Sequence, residues 1–374
     1  MKGNDKMADY NPKNERIKKS YFTYLAEAHG RADATVNGVR KALSRYEAFT
    51  GRKDFASFNK EQAIEFKKHL AATIAERTGE PLGKSTVLYT LSALKDFFRW
   101  LSCMPGYKTR IRVNDIAYLN LTDKEIRIAK ATAYKDFPTL EKVRLVLSKM
   151  PTETEIDRRN RALIAFTALT VMRVNALASI RLKHIDVNRD PVLVQQMPDQ
   201  VRTKFSKRIF TFFPPIGDDI HAIVLDWIKE LREEKGYGDN DPVFPRTRIT
   251  QDENQTFIAQ GLEPICWETT EPIREIFREA FAGAGLKYYN PHSFRNMLTE
   301  WGRQNCADND ELQAFAQNLG HDSAATTLAC YGTVDPYRQG EIIKQIGKRE
   351  KDSDKMDMIL ERLSAFEKMQ QKNL

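Results

Sequence analysis

The chain reads as mainly α: a helical N-terminal domain followed by a larger, mostly helical domain with one small antiparallel sheet. Three observations point there. At 374 residues it is longer than a single core usually serves, so two domains are expected. Apolar residues recur at three-four spacing through most of the chain, as amphipathic helices require. Strand-like alternation is confined to Val192 to Gln196 and Arg208 to Phe213, on either side of a turn carrying Lys204 and Lys207.

Residues 1–14 are polar and charged and read as a leader. Glu15 to Leu25 is a first helix, with Tyr21, Phe22, Tyr24 and Leu25 as its apolar positions. Ala34 to Phe49 is a second, ending before Gly51. Lys60 to Thr78 is a third, striped by Ala63, Ile64, Phe66, Leu70 and Ile74. Ser85 is the expected N-cap of a fourth helix through Leu101, whose Val87, Leu88, Leu91, Leu94, Phe97, Phe98 and Leu101 make one packing face. Together these helices predict a domain from Glu15 to Met104. Gly83-Lys84-Ser85-Thr86 resembles the end of a phosphate-cradling loop. Thr78 stands where that loop's first glycine belongs, and no strand precedes it, which argues against a nucleotide site.

Residues 105–138 show weak periodicity and many charges, and so read as an interdomain linker whose basic side chains would touch backbone phosphates. The second domain is expected over 139–349, opening on Thr139 as an N-cap. Helices are predicted at Thr139 to Met150, Asp157 to Leu169, Ile220 to Glu234, Thr270 to Ala284, His292 to Gln304, Asp310 to Leu319 and Ala324 to Tyr331. Gln251 to Pro264 is polar and reads as a surface insertion. Over 350–374, Met356, Ile359, Leu363, Phe366 and Gln370 stripe an amphipathic helix with little chain left to pack against. It would dock on its own domain or on a neighbouring subunit.

With 41% hydrophobic and 29% charged residues, the composition is that of a globular protein. No apolar run approaches the ~18 residues of a membrane span, and residues 1–19 lack the apolar core of a secretory signal. Cys103, Cys266, Cys306 and Cys330 are scattered without metal or disulfide spacing, so a cytoplasmic protein with reduced thiols is expected. The net charge is +8, and it is unevenly placed. Residues 1–136 hold 26 Lys and Arg against 16 Asp and Glu; the rest hold 33 against 35. A basic first third beside a near-neutral remainder predicts a nucleic-acid grip next to a site-bearing domain, although charge alone also fits a solvated basic face.

The chemistry-bearing residues concentrate between Asn290 and Tyr331. His292 and Arg295 stand one helical turn apart, Leu319-Gly320-His321 follows, then Thr326-Thr327, and Tyr331 closes the run. Arginine's planar fork matches a phosphate's oxygens, imidazoles donate to them or move a proton near neutral pH, and a tyrosine hydroxyl can act as nucleophile. Each residue alone also fits a bland reading, a solvated helix face or a core aromatic.

Six residues in order, Arg173, Lys204, His292, Arg295, His321 and Tyr331, resemble the tyrosine recombinase, or phage integrase, family. The likeness spans nearly the whole chain. It implies a helical core-binding (SAM-like) domain, followed by a mixed α+β tyrosine-recombinase catalytic domain from Thr139 onward. By that resemblance, Tyr331 attacks the scissile phosphate, leaving a 3′-phosphotyrosyl bond and a free 5′-hydroxyl. Arg173 and Arg295 clamp the phosphate, Lys204 (with Lys207 as rival) protonates the departing 5′-oxygen, and His292 and His321 hydrogen-bond the phosphate. No metal or nucleotide cofactor is implied. The implied partner is double-stranded DNA with paired core sites, held in a C-shaped clamp by a homotetramer that exchanges its C-terminal helices, with accessory DNA-bending proteins as further partners. The implied place is the bacterial nucleoid. The leader is too short for a separate arm-binding domain, which favours a simple two-domain recombinase. Lys84 and Lys95 are the lysines of the first domain expected to reach DNA.

Two features depart from the family pattern. The His321 to Tyr331 interval is one residue longer than the shortest common form, with Tyr337 as the nearest alternative. Ala176 stands where an acid often orients the first arginine. The competing readings are a type IB topoisomerase, which shares this constellation, and a DNA-binding relative that no longer cuts.

Overall fold

The computed structural model describes residues 10–76, 78–131, 136–203, 207–251 and 255–320, and the chain divides into two compact units, 1–132 and 133–374. In the first unit, α1 (Pro12–Thr23) begins earlier than the leader reading allowed. Asn11 accepts from the Lys13 and Asn14 amides, and Pro12 supplies the preset first turn. Asn14, placed in the leader by its polarity, is fully buried. It donates to Glu47 (3.2 Å) and to the Lys53 carbonyl (3.0 Å) and accepts from the Phe55 amide (3.2 Å). A buried amide with all these partners is a structural knot rather than a frayed end. After a π-helical turn at Tyr24–Ala28 comes α2 (Asp33–Phe49).

Helix α3 (Lys60–Ala72) stops short of the predicted Thr78. β-Branched Thr73 and Ile74 leave the helix for a tight reversal in which the Ala75 amide meets the Glu80 carbonyl (2.8 Å) and Gly79 adopts φ +66°. Helix α4 (Lys84–Ser102) matches its predicted stripe, with Gly83 rather than Ser85 at the cap. Its Phe97 and Phe98 lie under Tyr46, Phe55 and Phe58, with the Phe58 and Phe98 rings stacked at 3.9 Å. The expected linker is corrected for most of its length. Residues 105–131 form α5 (Val113–Ile116) and α6 (Asp123–Lys130), and Ile111, Ile116 and Leu119 are buried in the same core. The burial of three spaced apolar residues outweighed the weak periodicity.

The second unit begins with α7 (Leu140–Lys149), capped by Thr139, and α8 (Glu155–Thr170), opened by a reciprocal Thr154–Asp157 capping box. From Ala162 to Leu169, α8 is buried on every face, which makes it the central helix. Helix α9 (Val174–Leu177) leads into an antiparallel sheet of β1 (Ile185–Asp186), β2 (Leu193–Gln196) and β3 (Ile209–Phe212), in that spatial order. Strands β2 and β3 pair Leu193 with Phe212 and Gln195 with Phe210. Helix α10 (Asp218–Lys229) packs on α8. The expected polar insertion is instead a two-stranded ribbon, β4 (Arg246–Gln251) and β5 (Phe257–Glu263), exposing Ile249, Phe257 and Ile258. Thr, Ile and Phe alternating around a polar turn favour strands there. Two sheets therefore stand among the described residues where one was expected. Helices α11 (Glu271–Gly283), α12 (Ser293–Asn305) and α13 (Asn309–Asn318) complete the described part. No described helix is long and apolar enough to cross a membrane.

Candidate active site

The second arginine organises the site. Arg295 lies in the first turn of α12 and is 3% exposed. The turn ahead of it is built by Asn290, whose side chain accepts from the Ser293 amide (3.2 Å) and whose carbonyl accepts from the Ser293 hydroxyl (2.6 Å). His292 sits at the cap of α12 and is exposed, and its carbonyl accepts from the Arg295 amide at 3.1 Å. The pair is thus one turn apart as predicted, with His292 exposed and Arg295 buried.

The Arg295 guanidinium donates to two distant carbonyls. Nη1 reaches Val171 at 2.9 Å, and Nη2 reaches Leu319. Val171 ends α8 at φ +43°, ψ +32°, a conformation that costs a β-branched residue ~1–3 kcal/mol. That kink delivers Arg173 two residues later, at the cap of α9. Arg173 is half-buried; its carbonyl accepts from the Ala176 (2.8 Å) and Leu177 (3.0 Å) amides, and its guanidinium makes no ion pair or hydrogen bond with a described residue. A positive charge left without a counter-charge in a partly dry position is a place for an anion. Ala176, one turn on, is buried and offers no acid to orient it.

Leu319 leads to Gly320, whose φ of +72° suits glycine and where an added Cβ would come within 2.8 Å of the Ile209 side chain. That contact seats the Leu319-Gly320 corner on β3, the strand leaving the lysine-bearing turn. A cleft of about 500 Å³ opens there, lined among others by Lys207, Arg208, Phe210, Gln317 and Gly320. Arg295 therefore ties the loop of Arg173 to the segment that runs into His321, beside the strand that follows Lys204 and Lys207. Lys204, His321, Tyr331 and the expected 350–374 helix lie outside the described residues.

On its ascending side, the lysine turn is anchored by Arg202, which donates to the Glu268 (2.8 Å) and Ala178 (3.1 Å) carbonyls, and by Gln200, whose carbonyl oxygen lies 3.2 Å from His184 Nε2. His184 Nδ1 accepts from the Arg181 amide at 3.0 Å, so Nε2 carries the proton given to Gln200. Burial holds this imidazole below its ordinary value of 6.5. Well above pH 6.5 it is neutral in folded and unfolded chain alike. As the pH falls below 6.5 the unfolded chain takes up the proton first, so the fold loses stability. Urea unfolding of wild type and His184→Gln at pH 7.5 and 5.0 should show the wild-type advantage shrinking on acidification; equal advantages would exclude His184 as the source.

In the first unit, Lys84 opens α4 and is exposed, and the Lys95 ammonium donates to Asn120 Oδ1 at 2.8 Å. Lys67 donates to the Asn120 carbonyl at 2.9 Å. Two ammonium groups, those of Lys67 and Lys95, thus meet at the Asn120 turn, while Lys84 stands at the start of α4. Sequence reasoning named Lys84 and Lys95 but not Lys67, whose side chain meets Lys95 at Asn120, in the segment read as linker.

The chain matches the phage integrase family over residues 139–338 and the N-terminal SAM-like domain of phage integrases over residues 19–103. It is 23% identical over 319 residues to the tyrosine recombinase XerC of Lactobacillus delbrueckii subsp. bulgaricus, covering 83% of this chain and 92% of that protein. Its fold is similar to the XerH site-specific recombinase bound to a palindromic difH substrate in a post-cleavage complex, with a TM-score of 0.55 at 15% identity over 89% of this chain and 85% of that one. It is similarly close to a lambda integrase tetramer bound to a Holliday junction, with a TM-score of 0.55 at 15% identity over 85% and 80% of the two chains.

Proposed function

The chain belongs to the phage integrase family, and we propose how its own residues carry out that family's reaction, the breaking and rejoining of DNA strands at specific sites. Tyr331 attacks the scissile phosphorus, forming a 3′-phosphotyrosyl bond as the bond to the 5′-oxygen breaks. Lys204, from the turn between β2 and β3, gives that oxygen its proton. Arg173 and Arg295 hold the non-bridging oxygens as charge develops on them, and His292 and His321 donate to the phosphate and help move the tyrosine proton. Because the phosphotyrosine keeps the energy of the broken bond, a 5′-hydroxyl from a second duplex reverses the step on a new strand.

The observation that carries this reading is the buried Arg295, bonded at once to the Val171 and Leu319 carbonyls. One guanidinium draws together the loops leading to the first arginine and to the second histidine, which the sequence separates by more than a hundred residues. The charge of Arg173, which meets no acid among the described residues, supports an anionic ligand beside it. The assembly we infer is a homotetramer on paired core sites, with the 350–374 segment exchanged between neighbours; the lambda integrase structure, a tetramer bound to a Holliday junction, supports it. Whether DNA is integrated, excised or inverted follows from how the sites are arranged.

Duplexes carrying the inverted repeats that flank the gene test the reaction. A nicked duplex should trap a covalent adduct with a blocked 3′ end and a 5′ end that a kinase labels without phosphatase. An adduct of opposite polarity, or none with any flanking repeat, would exclude the mechanism. Relaxation of a supercoiled plasmid lacking those repeats would favour the topoisomerase reading.

The basic first unit supplies the sequence-independent grip. Lys84→Ala together with Lys95→Ala should weaken binding about equally for all sequences and make the log–log salt dependence shallower by about 2, since each phosphate contact contributes a slope near 1. An unchanged slope would remove both lysines from the interface.

A further inference from the structure

The geometry points to Asn318 as the positioning residue for the lysine-bearing turn, working through the backbone of Phe212; this rests on the reaction proposed above. Three described residues carry the case. Asn318 Oδ1 accepts from the Phe212 amide at 2.6 Å, and Asn318 Nδ2 donates to the Phe212 carbonyl at 2.9 Å. The side-chain amide thus copies the two hydrogen bonds that a neighbouring strand would make. Phe213, next along, sends its amide to Val192 on the sheet side at 3.0 Å. The Phe212 groups therefore face the open edge of β3, and Asn318 closes that edge at a single residue.

A third bond fixes the direction. The Thr211 hydroxyl, buried, donates to the Asn318 carbonyl at 3.1 Å. Asn318 is followed by Leu319, whose carbonyl is held by Arg295, and by Gly320, which rests on Ile209. Over residues 318–320 the chain is fastened to β3 at Ile209, Thr211 and Phe212 and to the buried guanidinium once. Helix α13 is itself seated by Phe315, whose ring lies against Gly302 of α12 where a Cβ would not fit. Strand β3 thus acquires a path to Arg295, to which Asn318 contributes the side-chain amide and Thr211 the hydroxyl.

A turn that delivers a proton to a leaving oxygen must be held to within a fraction of an ångström. The β3 strand is short, and on its open side Asn318 is what it leans on. Replacing that amide should let the turn drift while the phosphate clamp, built on Val171 and Leu319, stays in place. The deficit should then fall on leaving-group protonation alone.

The test compares wild type with Asn318→Ala and with Asn318→Asp, an isosteric change that keeps the acceptor for the Phe212 amide and sets an acceptor against its carbonyl. Each is assayed for single-turnover cleavage on an ordinary nicked duplex and on one whose scissile 5′-oxygen is replaced by sulfur, a leaving group that departs without a proton. Binding to one core site is measured alongside. Both variants should bind within about twofold of wild type and cleave the ordinary duplex about a hundredfold more slowly. On the sulfur-bridged duplex that loss should shrink to a few-fold. Equal losses on both duplexes, or wild-type rates on the ordinary one, would overturn the assignment. If wild type forms no adduct on either duplex, the proposed reaction has failed rather than the role of Asn318, and the melting temperature of Asn318→Asp, expected below that of wild type, still reports whether the Phe212 bonds matter.

Discussion

A Tyr331→Phe variant is expected to bind its DNA sites with unchanged affinity and to leave no covalent adduct on a nicked duplex. The hydroxyl is the only atom removed, so packing and charge stay as they were while the nucleophile disappears. Tyr337→Phe is the matched control and should retain full adduct formation, because Tyr337 lies further from His321 in the chain. Denaturing gels with end-labelled DNA resolve the two cases. An adduct that survives in Tyr331→Phe, or vanishes in Tyr337→Phe, would move the nucleophile to the second tyrosine.

Arg173→Lys and Arg295→Lys should each lose ~10²–10³-fold in cleavage rate, since a compact ammonium cannot replace a two-pronged donor on the phosphate. Their environments predict a further difference. Arg173 is half-buried and its guanidinium has no partner among the described residues, so Arg173→Lys should melt like wild type. Arg295 is buried and supports two carbonyls, and a lysine there leaves at least one of them unsatisfied, at a cost of about 1–3 kcal/mol. Arg295→Lys should therefore lose stability as well as rate. Single-turnover cleavage and urea unfolding, measured on both variants, separate the effects. Near-normal cleavage by either variant would remove that arginine from the clamp, and equal unfolding midpoints would contradict the structural role of Arg295.

Much of the architecture was legible because it rests on local pattern. The apolar stripe of α4 marked that helix to within a residue at each end, and alternation marked β2 and β3 almost to their limits. The departures share a cause: partners far away in the chain. Asn14 looked like a leader residue because its burial depends on Glu47, Lys53 and Phe55. Residues 105–131 looked like a linker because Ile111, Ile116 and Leu119 are too sparse to make a stripe, yet each finds the core.

The site divides in the same way. Arginine, histidine and tyrosine are conspicuous by their chemistry, so their order could be read directly. Val171 offers its own carbonyl to a guanidinium, and Asn318 turns its amide to the Phe212 backbone, each more than a hundred residues away, and nothing in their neighbours signals it. Only the unusual residue types offered a hint: a valine where a left-handed turn was needed, and an amide just ahead of Leu319-Gly320.

The reach of the Arg295 bonds also sets an order of events during synthesis. The first unit is a compact body complete by residue 132, so it can fold while the rest of the chain is still being made. The guanidinium, in contrast, joins residue 295 to residues 171 and 319, spans of 124 and 24. Long-range closures of this kind come late in folding. A chain emerging from the ribosome thus completes its basic first unit first, and Arg295 meets both carbonyls only after Leu319 has left the exit tunnel; under the function proposed above, a prematurely ended product is expected to hold DNA without cutting it.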